Sequence, residues 1–373
     1  MARPLIVFAT SSAKTLGERV IDEISKIHKE NDIDGKISLG EAKETVFADD
    51  SAKVEILQSV RDRDAYVLAT PPDPISRRLH GFDSDLLPSK ETFSREEILD
   101  LLKQFRKTVR TSNDNFRMLL AYVSALHSAE TGYVTAIPTV FPDGRQENPR
   151  GREPNMARLT AEELELAGAR RILTLDIHAE AVQGFFRTAH FDNLRSGKYL
   201  LQGFREQYEA EHKNYESLSV LSPDKGGNER SQYYADKLRV PLVFSYKKRD
   251  RAKANVVEEV IIIGDVKDRD ILIPDDMVDT GGTIDKVARA ARDYGAKEVY
   301  LLCTHPILNH PATDLLQKLH ADGILKCLIA SDTVHHGAAY LAQKPWFKEV
   351  SLAPLIARAI YNLNEGRSIS KLL

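Results

Sequence analysis

Residues Ile271–Val287 read ILIPDDMVDTGGTIDKV. An apolar strand, expected over Asp270–Ile273, runs into two adjacent acids, Asp275 and Asp276. The turn Asp279–Thr280–Gly281–Gly282–Thr283 follows, and then a helix expected over Thr283–Tyr294, ending at Gly295. The two glycines let the backbone approach a ligand closely. The turn's N–H groups and the start of the helix make an anion site suited to phosphate. Thr280 and Thr283 add hydroxyl donors. The acids do not favour phosphate by charge. They suit ribose hydroxyls, which donate to carboxylates, or a Mg²⁺ ion.

Outward from this stretch the chain reads as α/β throughout, short apolar runs alternating with amphipathic ones. In the first half, strands are expected over Pro4–Ala9, Ala65–Ala69, Val134–Pro138 and Arg171–Asp176. Helices are expected over Thr15–His28, Phe116–Leu126 and Ala157–Ala167. In the second half, strands are expected over Leu218–Ser222, Val240–Phe244, Val256–Ile263, Glu298–Thr304 and Cys327–Ser331, with a helix over Glu229–Lys237. Such alternation implies right-handed crossovers and a mostly parallel sheet in each half. The stretch Pro71–Thr111 breaks the pattern. It opens on TPPDP, holds one expected helix, Arg95–Val109, and reads as an insertion or lid.

A chain of 373 residues is too long for one ordinary core and suits two domains. A net charge of −3 gives no basic footprint for nucleic acid. No apolar run approaches membrane-spanning length, and the N-terminus lacks the parts of a signal peptide. Cys303 and Cys327 both sit in apolar stretches, without metal-type spacing. A cytoplasmic protein is expected.

DDMVDTGGTI resembles the ribose-5-phosphate fingerprint shared by type I phosphoribosyltransferases and phosphoribosyl-diphosphate synthetases (ribose-phosphate diphosphokinases). Four further segments resemble the synthetases specifically. Leu173–Phe186, LTLDIHAEAVQGFF, places His178 just past a strand end, where α/β ligands bind; the resemblance makes it a histidine of the Mg²⁺–ATP site. Val220–Arg230, VLSPDKGGNER, makes Asp224 a metal ligand, with Lys225 beside it either on phosphate or exposed. Tyr246–Asn255, YKKRDRAKAN, resembles the synthetases' catalytic loop, with Lys247 and Arg249 as its cations and Lys248 and Arg251 as substitutes. Ile137–Ala157 contains Arg145 and Gln146, which match an ATP-holding Arg-Gln pair. An adenine-site segment that the family takes from the neighbouring subunit corresponds to Phe47–Ser51, where Phe47 and Asp49 match and Ser51 stands at a Glu position. The usual diphosphate loop is replaced by Thr70–Pro71–Pro72, and proline supplies no N–H donor.

The resemblance implies two type I phosphoribosyltransferase-like domains, each a mostly parallel sheet flanked by helices. The first spans residues 1–190 with its insertion near 71–111, and the second spans 191–351. Residues 352–373 form a helix returning to the first. It implies a Mg²⁺-dependent enzyme that transfers diphosphate from ATP to ribose 5-phosphate, with Asp275, Asp276, Asp279, Thr280, Gly281, Gly282 and Thr283 on the sugar phosphate. It also implies a homo-oligomer built from dimers, with no nucleic-acid or membrane partner. The alternatives are a catalytically weak regulatory paralogue and a phosphoribosyltransferase that consumes the diphosphoribose.

Overall fold

The computed structural model describes residues 3–33, 35, 37–73, 94, 110–211, 214–248 and 259–373, with the backbone alone at 247, 248 and 259. The chain divides into two compact units. One comprises Met1–Arg195, Thr333–His335 and Leu352–Leu373, the other Ser196–Asp332 and His336–Ser351.

In the first unit β1 (Leu5–Ala9) leads into α1 (Lys14–Glu30), whose apolar stripe Leu16, Val20, Ile21, Ile24 and Ile27 is buried. A two-stranded hairpin follows, β2 (Ala42–Val46) antiparallel to β3 (Ala52–Ile56). Then come β4 (Asp64–Ala69), α2 (Ser112–Ser128), β5 (Tyr133–Pro138), α3 (Met156–Ala167), β6 (Arg171–Leu175) and β7 (His190–Leu194). The five-stranded sheet runs β1-β4-β5-β6-β7, with every pair parallel. Thr111 caps α2 in a reciprocal box with Asp114, and Gly168 closes α3 at φ 107°. The helix expected over Arg95–Val109 lies outside the described residues. Residues before and after that stretch are packed down: Pro71 and Pro72 are buried, and Asn115 Nδ2 donates to the Pro71 carbonyl at 3.1 Å.

The second unit holds α4 (Gly197–Ala210), β8 (Leu218–Ser222), α5 (Asn228–Leu238), β9 (Leu242–Lys248), β10 (Glu259–Ile263), β11 (Asp270–Val278), α6 (Gly282–Asp293), β12 (Val299–Pro306), α7 (Ala312–Ala321), β13 (Leu325–Ser331), α8 (Ala338–Gln343) and β14 (Phe347–Val350). Its seven strands run β10-β9-β8-β11-β12-β13-β14, parallel except for the β9–β10 edge pair. Alternate side chains supply two cores. Ile271, Ile273, Leu301 and Leu328 pack on one face, and Leu272, Tyr300, Leu302 and Ile329 on the other. A sheet covered on both faces explains the apolar runs ILIP in β11 and VYLLC in β12.

Three differences from expectation bear on the site. β11 continues through Val278, so Asp275 and Asp276 lie inside the strand and not beyond it. Tyr246, Lys247 and Lys248 are strand, paired with Ile261, Val260 and Glu259, where a loop was expected. The strand expected from Val256 is described only from Glu259. The last helix, α9 (Ala353–Asn364), packs in the first unit along α1, with the rings of Tyr361 and His28 6.1 Å apart. Among the described residues, no helix is long and apolar enough to cross a membrane.

Glu44 of β2 fastens the hairpin to the first unit. Its Oε1 accepts from the Ser11 N–H at 2.8 Å and the Tyr122 hydroxyl at 3.3 Å, and its Oε2 accepts from Arg110 Nη1 at 2.7 Å. A Glu44→Ala variant strands three donors in a partly buried place, and is expected to lose about 2 kcal/mol. A thermal midpoint equal to the wild type's would show that the hairpin is held by other means.

Candidate active site

The second unit concentrates the charged groups. Two neighbouring parallel strands, β8 and β11, end on the same edge of the sheet, the carboxyl edge where α/β proteins bind ligands. After β8 the chain turns through Pro223–Gly227 into α5. Asp224 is exposed there, with its Oδ1 accepting from the Gly227 N–H at 2.9 Å, and Lys225 beside it is exposed. At the end of β11 stand Asp275, partly buried, and Asp276, 4 % exposed. The Asp276 N–H donates to Asp275 Oδ1 at 2.9 Å.

The carboxylates feel one another. Burial, the largest cause, and the charge of Asp276 push the Asp275 carboxyl well above the usual range. Arg230 opposes this, and the charge of Asp224 adds to it. Arg230 Nη1 lies 3.5 Å from Asp275 Oδ1 and 3.3 Å from Asp276 Oδ1. Strand pairing sets Cys303 of β12 opposite Asp275. Burial, with the two acids adding to it, holds its thiol well above the ordinary range.

Beyond the acids, the turn into α6 is built for close backbone approach. Gly281 has φ 76°, and a Cβ there would meet Ala312 Cα at 3.2 Å, whereas a Cβ on Gly282 would meet nothing within 4 Å. The helix starts at Gly282 with no side-chain cap, leaving its first turn oriented for an anion. Asp279 is held from behind, accepting from Asn309 Nδ2 at 2.6 Å, and the Leu308 N–H donates to the Val278 carbonyl at 2.9 Å. Thr280 and Thr283 flank the glycines on this turn. Asp224, Asp275, Asp276 and the glycine turn therefore belong to one unit and, for the carboxylates, one electrostatic neighbourhood.

In the first unit the expected residues stand on three elements. Phe47 and Asp49 are on the β2–β3 turn, where Phe47 is 49 % exposed. Asp49 Oδ1 accepts from the Ser51 N–H at 3.1 Å and the Ser51 hydroxyl at 2.7 Å, bonds that lower its pKa. Arg145 and Gln146, both exposed, follow β5, and Gln146 Nε2 donates to Asp143 Oδ1 at 3.2 Å. His178, also exposed, follows β6 after Asp176, whose φ of 36° is uncommon for a residue with a side chain. β5 and β6 are adjacent and parallel, so these two loops leave the same edge of their sheet. Of the loop cations, Lys247 is described by its backbone alone, within β9, and Arg249 lies outside the described residues.

Mg²⁺ takes oxygen ligands and keeps several waters, using one or two carboxylates beside substrate phosphates. An exposed Asp224 with one oxygen fastened and two further carboxylates nearby fits that chemistry. Among the described residues no group of three or more metal-binding side chains forms a closed cage. Arg230 is the residue that sequence reading passed over. It ends the segment VLSPDKGGNER, and its signal was a cation in the first turn of a helix that follows a Gly-Gly turn.

The raised pKa of Asp275 carries a stability slope. The folded chain binds this proton more tightly than the unfolded one. The stability it confers is fully present below the ordinary carboxylate value of about 3.9 and is lost as pH rises through the raised folded value. Asp275→Asn is thus expected to unfold at a higher temperature than wild type near pH 7 in metal-free buffer, and the gap is expected to shrink as pH falls toward about 4. A midpoint equal to or below the wild type's would sink this reading.

Comparison with known proteins agrees with the geometry. Residues 191–344 match the phosphoribosyl transferase domain, and residues 5–82 match the N-terminal domain of ribose phosphate pyrophosphokinase. The ribose-phosphate pyrophosphokinase of Ralstonia nicotianae is 32% identical over 99% of this chain and 98% of its own length. Its counterpart in Bacillus subtilis is 30% identical, over 99% and 96%. A crystal structure of phosphoribosylpyrophosphate synthetase from Mycobacterium smegmatis superposes with a TM-score of 0.75 at 28% identity, covering 98% of this chain and all of that one. Likeness along nearly the whole length of both chains, joined to a paired-acid strand that runs into a glycine turn, leads to one conclusion: the chain belongs to the ribose-phosphate pyrophosphokinase family.

Proposed function

We infer that this chain transfers the diphosphate of ATP to the 1-hydroxyl of ribose 5-phosphate, giving 5-phosphoribosyl 1-diphosphate and AMP. The observation that carries the reading is the end of β11, where Asp275 and Asp276 precede an uncapped, glycine-started helix. Acceptors for sugar hydroxyls stand beside donors for a phosphate, as a phosphorylated pentose requires.

The sugar phosphate sits on the turn from Asp279 to Thr283, its hydroxyls on Asp275 and Asp276. ATP is held by Arg145 and Gln146, with Phe47 and Asp49 at the adenine. The anomeric hydroxyl attacks the β-phosphorus in line and gives up its proton to solvent, the bond from that phosphorus to the α-phosphate's bridging oxygen breaks, and AMP departs with that oxygen. The residues contribute by orienting the two substrates and by stabilising charge on the transferring group. Lys247 and Arg249 supply that charge. Asp224 would hold Mg²⁺, which when bound neutralises phosphate oxygens and orients them, and His178 is the residue that the family resemblance offers to Mg²⁺–ATP.

The exposed Phe47 and Val46 at the hairpin support a homo-oligomer built from dimers, in which this turn serves a neighbouring subunit. Two buried free thiols support a reducing, cytoplasmic setting. A net charge of −3 supports small-molecule substrates over nucleic acid.

The test is phosphorus NMR on purified protein with ATP, Mg²⁺ and ribose 5-phosphate, followed alongside AMP. AMP and a ribose-linked diphosphate are expected in equal amounts; ADP with a singly phosphorylated sugar, or no product, would refute the reading. In the same assay Lys247→Ala is expected to lower turnover on the order of 10²–10³-fold with the thermal midpoint retained. Undiminished turnover would remove Lys247 from the catalytic machinery.

A further inference from the structure

The Asp224 loop and the acids of β11 share a side chain that neither motif accounts for. Arg230 is the third residue of α5, with its side chain 25 % exposed. The loop that carries it is well fastened. Ser222 Oγ lies 2.9 Å from both the Asp224 carbonyl and Asn228 Oδ1, and the Gly227 N–H holds the Asp224 carboxylate. From this base the guanidinium reaches the neighbouring strand and places Nη1 between the carboxylates of Asp275 and Asp276.

Two adjacent carboxylates in a poorly hydrated place repel each other. Left alone they rotate apart or share a proton, and either response removes an acceptor. A cation between them opposes that repulsion and gives both carboxylates one partner to face. The planar guanidinium also resists the rotation that an ammonium on a flexible stem permits. Resting on the ribose 5-phosphate reading above, we propose that Arg230 is a positioning residue for the sugar. It holds Asp275 and Asp276 as paired acceptors for ribose hydroxyls and ties their placement to the Asp224 loop. Its effect falls on the pentose and not on the nucleotide, because the carboxylates it touches are the sugar's.

The measurements are calorimetric binding of ribose 5-phosphate to the full-length protein, and KM values for ribose 5-phosphate and for ATP. Arg230→Met is expected to weaken ribose 5-phosphate binding by about tenfold to a hundredfold, the worth of a charged hydrogen bond. The KM for ATP is expected to stay within about twofold, inside the few tenths of a kcal/mol by which uncoupled sites vary. Arg230→Lys is expected to fall between wild type and Met, and it alone is read if the Met variant does not fold. Ribose 5-phosphate affinity that is unchanged, or that falls in step with ATP affinity, overturns the positioning role, since a merely structural residue would do one or the other. Wild-type protein that binds no ribose 5-phosphate defeats the functional reading itself, which separates the two failures.

Discussion

Asp275 and Asp276 are consecutive residues of a central strand, and strand geometry sends consecutive side chains to opposite faces. Both nonetheless come within 3.5 Å of one guanidinium nitrogen. That is achieved where pairing of β11 with β8 has stopped at Leu272, so that the helix after β8 can reach across to the acids. The arrangement costs stability: Asp276 is nearly buried, and Asp275 resists ionisation. A strand flanked on both sides by parallel partners, with apolar cores above and below, can carry that cost. Everything that follows in the chain depends on where this strand ends.

The turn after the acids is fixed from behind as well as from within. Gly281 is held against Ala312, and Asp279 is held by Asn309, so the connection from β12 to α7 forms the back wall of the glycine turn. A side chain at Gly281 would be strained by φ and would push on backbone as well as on Ala312. The N–H groups of the next turn are therefore oriented before any ligand arrives, so little ordering is left to be done on binding. Asp224 obeys the same logic, since the Gly227 N–H holds one of its oxygens and leaves the rest of an exposed carboxylate for a ligand.

The sequence was legible wherever a covered sheet demanded apolar runs. PLIVFA, RILTLD and VYLLC announced their strands because both faces of each are buried. It was mute where a strand is only half covered. AKETV and AKVEI alternate partly buried with exposed residues and carry charge, so no apolar run marked the β2–β3 hairpin that presents Phe47. HFDNL and FKEV, at the two sheet edges, failed to show for the same reason. In the site, acids and glycines close together in sequence could be found by spacing. Arg230 could not be found by spacing, because its partners lie on a strand more than forty residues away, and an ion pair from a helix to a distant strand leaves no periodic trace.

The hairpin turn shows how one replaced residue redirects another. A glutamate at position 51 would extend a second carboxylate from the turn. Serine instead turns inward: its N–H and hydroxyl both donate to Asp49 Oδ1, while the Phe47 N–H donates to the Ser51 carbonyl. Asp49 thereby becomes the acceptor that closes an Asx-type turn, with Asp50 in the left-handed region at φ 64°. The acid is held ionised by those bonds, and one of its oxygens is spent on the turn itself. What the turn leaves exposed is the ring of Phe47 and the second carboxylate oxygen of Asp49. A stacking surface accepts any base, because every base offers a π-face. On the adenine-site proposal above, discrimination among bases at this turn would rest on a single acceptor oxygen, where a Phe-Asp-Glu turn would present two carboxylates.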